Sequence, residues 1–166
     1  MLIRRLISAD AAAFQALRLH ALRESPSAFS SSYEEECDTP LAVIEGYFAP
    51  ESSRTFFGAF EGDQLAGMIG VGREGMRKVM HKGSIRGMYV APGQRGKGAG
   101  RLLLDAALEF VATLGGVRQV SLTVTADNAP AIALYASAGF QIYGRESAAL
   151  LVNGVMYDNV YMARPF

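Results

Sequence analysis

At residues 94–101 the chain reads Gln94-Arg95-Gly96-Lys97-Gly98-Ala99-Gly100-Arg101, with three glycines alternating with larger residues. An apolar, strand-like segment, Met88-Tyr89-Val90, precedes this stretch, and a long amphipathic pattern follows it. Glycine lets backbone approach a ligand closely, and the first amides of a helix point outward along the positive end of its dipole. The stretch, called the glycine loop below, therefore predicts a strand-to-helix turn that binds a phosphate-bearing ligand.

Two well-known phosphate-binding loops do not match the glycine loop. A Walker loop requires Gly-Lys followed by Ser or Thr, but Gly96-Lys97 is followed by Gly98. A dinucleotide-binding loop requires Gly-x-Gly-x-x-Gly, and its third glycine position falls on Arg101 in one register and on Leu103 in the other. The register therefore excludes both a nucleoside triphosphate loop and a dinucleotide loop.

Hydrophobic periodicity and turn residues predict the elements around the glycine loop. The predicted strands cover residues 1–6, 55–60, 65–71, 84–90, 118–125, 140–145 and 155–162. The predicted helices run from a cap at Ser8 or Asp10 to Ser25, from Pro40 to near Pro50, from the glycine loop to Gly115-Gly116, and from a cap at Asp127 or Asn128 to Gly139. Residues 30–38 are polar and acidic and are predicted to form a loop. The order β-α-α-β-β-β-α-β-α-β-β predicts one α/β domain with a mixed sheet.

Composition indicates a globular protein of one domain, with 166 residues of which 50% are hydrophobic and 19% charged. The single cysteine, Cys37, excludes an internal disulfide and favours a reduced compartment. No apolar stretch approaches the roughly 20 residues that cross a bilayer, and no signal peptide is visible. We therefore expect a cytoplasmic protein with no membrane partner.

Charge is distributed unevenly along a chain whose formal net charge is zero. Residues 24–63 contain nine acidic side chains and one basic one, whereas residues 73–101 contain eight basic side chains and one acidic one. Such a protein can present an acidic surface to one ligand and a basic surface to another. Zero net charge and the lack of a nucleic-acid-binding motif argue against a nucleic-acid partner, although residues 73–86 are basic.

Two spaced motifs resemble those of one known superfamily. The pattern Arg95-x-x-Gly98-x-Gly100 resembles the pyrophosphate-binding signature of the Gcn5-related N-acetyltransferases, the GNAT superfamily, which use acetyl-CoA. Downstream, Asn128-x-x-Ala131-x-x-Leu134-Tyr135-x-x-x-Gly139-Phe140 looks like a later motif of the same superfamily. The resemblance covers about residues 85–140 and implies a GNAT-like α/β fold. Such a fold has a mixed six- or seven-stranded sheet, about four helices and splayed parallel strands at the cosubstrate site.

The resemblance also implies which residues bind acetyl-CoA. Backbone amides of the glycine loop would surround the pyrophosphate, and freed backbone of the preceding strand would pair with pantetheine. The implied acetyl-CoA-binding residues are Met88, Tyr89, Val90, Arg95, Gly96, Lys97, Gly98, Ala99, Gly100, Arg101, Asn128 and Tyr135. No metal is implied.

By the same resemblance, Tyr135 is the candidate general acid that protonates the leaving thiolate. In several family members a glutamate serves as the general base. The position that aligns with it here is Thr123, and threonine cannot serve as a base. The remaining candidates for the base are Glu34, Glu35, Glu36, His81 and Tyr89. We favour the acidic cluster, with Glu35 as the base and Glu34 or Glu36 as alternatives, because carboxylates would also attract a cationic acceptor.

The sequence thus predicts an N-acetyltransferase that transfers acetyl from acetyl-CoA to a primary amine by direct attack in a ternary complex. The acceptor, a small molecule or a peptide, would bind mainly to residues 1–60 of a single domain spanning 1–166. Acetyl-CoA would bind to residues 84–140, and apolar C-terminal strands at 140–164 would suit a homodimer interface. The alternative is a non-catalytic acyl-CoA-binding module, which the absence of the strand glutamate favours.

Overall fold

One seven-stranded mixed sheet organises the computed structural model, which describes residues 1–50, 52 and 54–166. The strands are β1 (Leu2–Arg5), β2 (Arg54–Glu61), β3 (Gln64–Arg73), β4 (Lys82–Val90), β5 (Gln119–Thr125), β6 (Gln141–Val152) and β7 (Val155–Pro165). The α-helices are α1 (Ala11–Glu24), α2 (Tyr33–Glu36), α3 (Leu41–Gly46), α4 (Ala99–Thr113) and α5 (Ala129–Ser137). Across the sheet the order is β1-β2-β3-β4-β5-β7-β6, which confirms the predicted α/β class and mixed sheet.

Helix α2 corrects the prediction of a loop over residues 30–38. Ser32 caps this single turn: its hydroxyl accepts a hydrogen bond from the Glu35 amide, and the Glu35 carboxylate accepts one from the Ser32 amide at 2.7 Å. This reciprocal capping box stabilises a turn that lacks an apolar stripe. Periodicity alone cannot detect such a turn, whereas the Ser-x-x-Glu spacing could have done so.

The last two strands extend well beyond their predicted ends at residues 145 and 162. They form one long hairpin closed by Asn153-Gly154, where both residues have positive φ, 49° and 79°. An Asn-Gly pair matches the right-handed twist of the flanking strands, so it favours a tight two-residue turn. The hairpin therefore continues to this turn instead of stopping at residue 145.

Helices cover both faces of the sheet. On one face, α4 buries the apolar stripe that the sequence predicts, with Leu103, Ala107 and Val111 packed against strand residues such as Ile69. On the other face, α1 and α3 pack around Phe14 and the neighbouring strands. Successive side chains of a strand point to opposite faces of the sheet. The side chains of β3 therefore pack alternately against α4 on one face and against α1 and α3 on the other. In the described part of the chain, no helix combines the length and hydropathy that a membrane span requires.

The parallel pair β4 and β5 separates after only three paired positions. Lys82, Gly83 and Ser84 pair with residues 119–121, and beyond Ser84 the two strands diverge. On its other side, β4 pairs with β3 up to Val90, with a bulge that places Gly87 and Met88 opposite one residue of β3. Gly87 has φ +61°, a conformation that glycine adopts readily. This divergence confirms the expected splay and opens the sheet beside the glycine loop.

Candidate active site

The glycine loop forms the predicted turn between strand and helix. Gly96 and Gly98 have φ of +75° and +84°, and Gly98 is the left-handed N-cap of α4. Leu102 is the residue whose amide donates to the Gly98 carbonyl, so the first-turn amides before it have no intrahelical acceptor. A cluster of outward-pointing amides at a helix N-terminus favours a phosphate group.

Tyr135 and Met88 meet where β4 leaves β5. The Tyr135 hydroxyl donates to the Met88 sulfur at 3.4 Å, and the tyrosine is 7% exposed. Burial raises the pKa of Tyr135 to about 12, so this hydroxyl keeps its proton at physiological pH. A Cβ at Gly100 would lie 3.2 Å from both Met88 and Leu134, so glycine there lets α4 approach the splayed strand and α5 closely.

Asn128 contributes to the site indirectly, because it caps helix α5. Its side chain accepts a hydrogen bond from the Ala131 amide at 3.2 Å, which caps the helix that carries Tyr135. An N-cap of this kind satisfies one of the unpaired amides of the first turn. In this arrangement Asn128 fixes where α5 begins and thereby the position of Tyr135.

The basic side chains of the glycine loop already have partners within the protein. Arg95 donates from Nε to the Val90 carbonyl at 2.9 Å and from Nη2 to Glu24 at 2.8 Å. Lys97 donates to the Gln94 side chain at 3.1 Å, and Arg101 forms an ion pair with Asp105 at 2.9 Å. Arg95 therefore ties the loop to strand β4 and to helix α1.

Sequence reasoning missed Glu24, which completes this connection. Its carboxylate accepts hydrogen bonds from Arg95 and from the Tyr89 hydroxyl, the latter at 3.1 Å. Chiefly because of Arg95, and also because of Ser25 and Tyr89, the pKa of Glu24 falls to about 2. The partners are separated by 65 and 71 positions in sequence, so no local pattern could reveal them.

Two members of the acidic cluster are engaged in local structure. Glu36 forms an ion pair with Arg18 at 2.8 Å and accepts from Ser31, and the Arg18 guanidinium holds the pKa of Glu36 below its usual value. Glu35 caps α2 through Ser32, and those hydrogen bonds also lower its pKa. Both residues line the large cleft described below, whereas Glu34 is exposed and is not among its lining residues. A lowered pKa makes a carboxylate a weaker base.

The other candidate bases lie elsewhere or are already hydrogen-bonded. His81 directly precedes β4, at the end opposite the splay, and its carbonyl accepts from the Arg118 amide. Tyr89 is 5% exposed; its burial and its hydrogen bond to Glu24 raise its pKa to about 12. Thr123 lines the large cleft from β5. Within the described residues, no three His, Cys, Asp or Glu side chains are grouped to hold a metal ion.

A cleft of about 1020 Å³ lies on the α1 side of the sheet. It is bordered by residues of α1, the α2 region, and strands β2 to β5, including Ser84 and Ser121 at the last paired position of β4 and β5. One end of the cleft therefore reaches the splay, where Gly87 also lines it. The glycine loop and Tyr135 lie outside its lining, so the cleft and the glycine loop are two distinct regions of the surface.

The fold and the site place this protein in one structural class: an α/β domain in which a parallel pair of strands splays beside a glycine loop and a buried tyrosine. The family model described as "Acetyltransferase (GNAT) family" matches residues 16–140. The chain therefore belongs to the GNAT family.

Curated relatives share part of their length with this chain. A streptothricin acetyltransferase from Streptomyces lavendulae is 37% identical over 116 residues, which cover 68% of this chain and 58% of that protein. The N-alpha-acetyltransferase RimI of Mycobacterium tuberculosis is 38% identical over 60% of each chain. A mycothiol acetyltransferase from Geodermatophilus obscurus is 35% identical over 72% of this chain and 39% of its own. The matches thus span roughly 40–60% of these relatives.

Solved structures share the fold over nearly the whole chain. An acetyltransferase of the GNAT family from Streptococcus pneumoniae has a TM-score of 0.87 and 24% identity, with 99% of each chain covered. A phosphinothricin acetyltransferase from Sinorhizobium meliloti, solved in complex with AcCoA, has a TM-score of 0.84 and 19% identity. The alignment with it covers 99% of this chain and 88% of that one.

The contact between Glu24 and Arg95 predicts a pH-dependent contribution to stability. The folded pKa of Glu24 is about 2 and its ordinary value is 4.5, so the stabilisation is complete above about pH 4.5 and is lost as pH falls towards 2. We expect Glu24→Gln to lower the free energy of unfolding by about 1 kcal/mol at pH 7. Denaturant titrations at several pH values should show this difference shrinking between pH 4.5 and 2.

Glu109→Gln is the matched control, because Glu109 is an exposed residue of α4 for which the structure records no ion pair among the described residues. We expect it to change stability little at any of these pH values. A Glu24→Gln deficit that persists unchanged at pH 2 would contradict the role of the ionised carboxylate.

Proposed function

We propose that this protein transfers the acetyl group of acetyl-CoA to a primary amine by direct attack in a ternary complex. The observation that carries the proposal is the splay of β4 from β5 between the glycine loop and the large cleft. Membership of the GNAT family supports the activity, and a structural neighbour was solved with AcCoA bound. In this arrangement the donor and the acceptor reach the gap from opposite sides.

We assign acetyl-CoA mainly to residues 84–140. The amides of residues 96–101 bind the pyrophosphate, and the backbone of residues 88–90 pairs with pantetheine along the edge of β4 that β5 leaves free. Lys97 and Arg101 are exposed and add positive charge. Arg95 holds the loop in place through Glu24 and Val90.

In the proposed reaction the neutral amine nitrogen attacks the thioester carbonyl carbon. A carbon–nitrogen bond forms, the carbon–sulfur bond breaks, and an N–H of β4 stabilises the oxyanion that develops. Tyr135 donates its hydroxyl proton to the departing sulfur. The amine proton passes to Glu35, directly or through water. Glu35 lines the acceptor cleft, and although both hydrogen bonds that Ser32 donates in the α2 cap go to one of its carboxylate oxygens and lower its basicity, the other oxygen takes no part in the cap.

Acetyl-CoA binding and thiol release test the proposed function directly. We expect isothermal titration calorimetry to show binding of acetyl-CoA to the purified chain, and a panel of primary amines to contain acceptors that release free CoA thiol. Tight binding without thiol release from any amine would favour the non-catalytic acyl-CoA-binding module. Failure to bind acetyl-CoA would contradict both functions.

Replacement of Tyr135 by phenylalanine tests the general acid. Tyr135→Phe removes the proton donor and keeps the ring, so we expect kcat to fall about 10²-fold or more while acetyl-CoA affinity changes little. Steady-state thiol release and calorimetry measure the two quantities. Tyr157→Phe, in the terminal hairpin, is the control and should leave both unchanged. Unchanged turnover in Tyr135→Phe would remove the acid role.

We also propose that the terminal hairpin mediates a homodimer. Leu151 and Met156 face each other across β6 and β7 and are 65% and 61% exposed, and β6 is an edge strand of the sheet. Exposed apolar residues on an edge strand favour a protein–protein contact.

Sedimentation velocity tests the homodimer. We expect a dimer for the native chain and a monomer for Leu151→Lys/Met156→Lys, because charged side chains would oppose burial of this surface. Met76→Lys, at a 74% exposed methionine outside the hairpin, is the control and should remain dimeric. A native chain that sediments as a monomer at micromolar concentration would contradict the proposal.

The composition supports a cytoplasmic setting for the proposed reaction. Cys37 leaves the chain without an internal disulfide, as is usual in a reduced compartment. The zero net charge gives no support to a nucleic-acid partner, and we assign the cleft to a small-molecule or peptide acceptor.

A further inference from the structure

The floor of the acceptor cleft consists partly of backbone. Gly70 lies between Phe56 and Arg86 in the neighbouring strands, and Gly72 lies between Arg54 and Ser84. A Cβ at position 70 would lie 2.9 Å from the Phe56 ring and 3.1 Å from the Arg86 carbonyl oxygen. The Phe56 ring therefore packs directly over Gly70, where a side chain would collide with it, and Gly70 and Gly72 line the cleft with backbone.

Two arginines lie on the strands on either side of these glycines. Cross-strand neighbours point to the same face of a sheet, so Arg54 of β2 lies on the same face as Ser84, and Arg86 follows two positions later on β4. The Arg86 side chain is 59% exposed, and its ion pair with Glu74 is a single long contact of 3.6 Å. For Arg54 the structure records no ion pair among the described residues. Both guanidinium groups thus retain hydrogen-bond donors for a ligand.

A third arginine lies beside the splay. Arg18 Nη1 is 3.7 Å from the position that a Cβ would occupy at Gly87. Its Nε and Nη2 atoms bind Glu36 and Ser31, which fix the guanidinium over the Phe29 ring at 4.6 Å. The cleft therefore presents cationic groups both along its floor and at its inner end.

The acidic residues of the cleft offer less to a ligand than their number suggests. Glu36 is bound by Arg18 at 2.8 and 2.9 Å, and Glu35 holds the cap of α2 through one oxygen. Glu74 faces Arg86. Among the residues that the structure describes, the charged lining consists of three arginines and three glutamates, Arg18, Arg54, Arg86, Glu35, Glu36 and Glu74. An acceptor with several positive charges would meet no surplus of free carboxylates here.

Aromatic side chains form the apolar part of the lining. Phe14 and Phe56 pack edge to face at 5.2 Å between centroids, and Tyr47 stacks on Phe56 at 6.3 Å. All three border the cleft. A ligand with an apolar side chain would bury it against these rings.

We infer that the acceptor is a free amino acid, whose amino group reaches the splay while its carboxylate binds Arg54 and Arg86 and its apolar side chain packs on the aromatic rings. This inference rests on the proposed function and names the acceptor class for the same cleft. It also replaces the expectation that the acidic cluster would attract a cationic acceptor. A charge-assisted contact from a guanidinium to a carboxylate is the strongest interaction that this lining offers.

Matched acceptors test the carboxylate. Thiol release is measured with phenylalanine and phenylalaninamide, with methionine and methioninamide, and with spermidine and an aminoglycoside, each at saturating acetyl-CoA. We expect kcat/KM to be about tenfold or more higher for each free acid than for its amide or for either polycation. Preference for the amides or the polycations would overturn the inference and leave acetyl transfer intact.

Arginine variants locate the binding group. We expect Arg54→Gln and Arg86→Gln to raise KM for the free acids about tenfold while leaving turnover of the amides and KM for acetyl-CoA nearly unchanged. Arg77→Gln removes the same charge from an exposed position outside the cleft and should alter none of these values. Equal losses for acids and amides in the two cleft variants would overturn the inference.

A binding measurement separates failure of the inference from failure of the proposed function. If no amine releases thiol although acetyl-CoA binds, acetyl transfer fails. Calorimetry of phenylalanine against phenylalaninamide in the presence of CoA then decides the ligand class. Tighter binding of the free acid, weakened by Arg86→Gln, supports the amino acid site, and equal or absent binding overturns it.

Discussion

The short pairing of β4 with β5 is the constraint on which the rest of the site depends. Three residue pairs hold the two strands together, and the bulge at Gly87 and Met88 then turns β4 away. Backbone amides and carbonyls that would otherwise bond within the sheet become available along the inner edge of β4. Because buried backbone groups require partners, such an opening favours a ligand that supplies them.

The neighbouring elements are adapted to this opening. Gly100 allows α4 to approach Met88 and Leu134, so the first-turn amides of the helix lie next to the end of β4. Asn128 caps α5, which brings the Tyr135 hydroxyl to Met88. On the other face, Glu24 binds Arg95 and Tyr89 and so ties α1 to the loop. The proposed acetyl-CoA region is thus built from helix ends and strand edges held by a few side-chain contacts.

Local patterns were sufficient to predict the secondary structure of the proposed donor side, because its features lie close together in sequence. The glycine loop, the stripe of α4 and the cap of α5 are each contained within about a dozen residues. The structure forms the loop and the helix as predicted, and of the two predicted caps, Asp127 and Asn128, it has Asn128. The contact of Glu24 with Arg95 spans 71 positions and could not be read from either segment. The single turn α2 was missed because its stability comes from a capping box and not from apolar periodicity.

The acidic run in residues 24–63 shows why the acceptor side is harder to predict. Nine carboxylates in one segment suggest an acidic surface, but folding brings Arg18 to Glu36 and Arg95 to Glu24 from other parts of the chain. The charge that a ligand meets is therefore set by long-range pairing and not by local composition. In the proposed arrangement, backbone supplies most of the donor site, whereas side chains from several elements form the acceptor cleft. On this proposal, substitutions in that cleft would change the acceptor while the splay and the glycine loop stay the same.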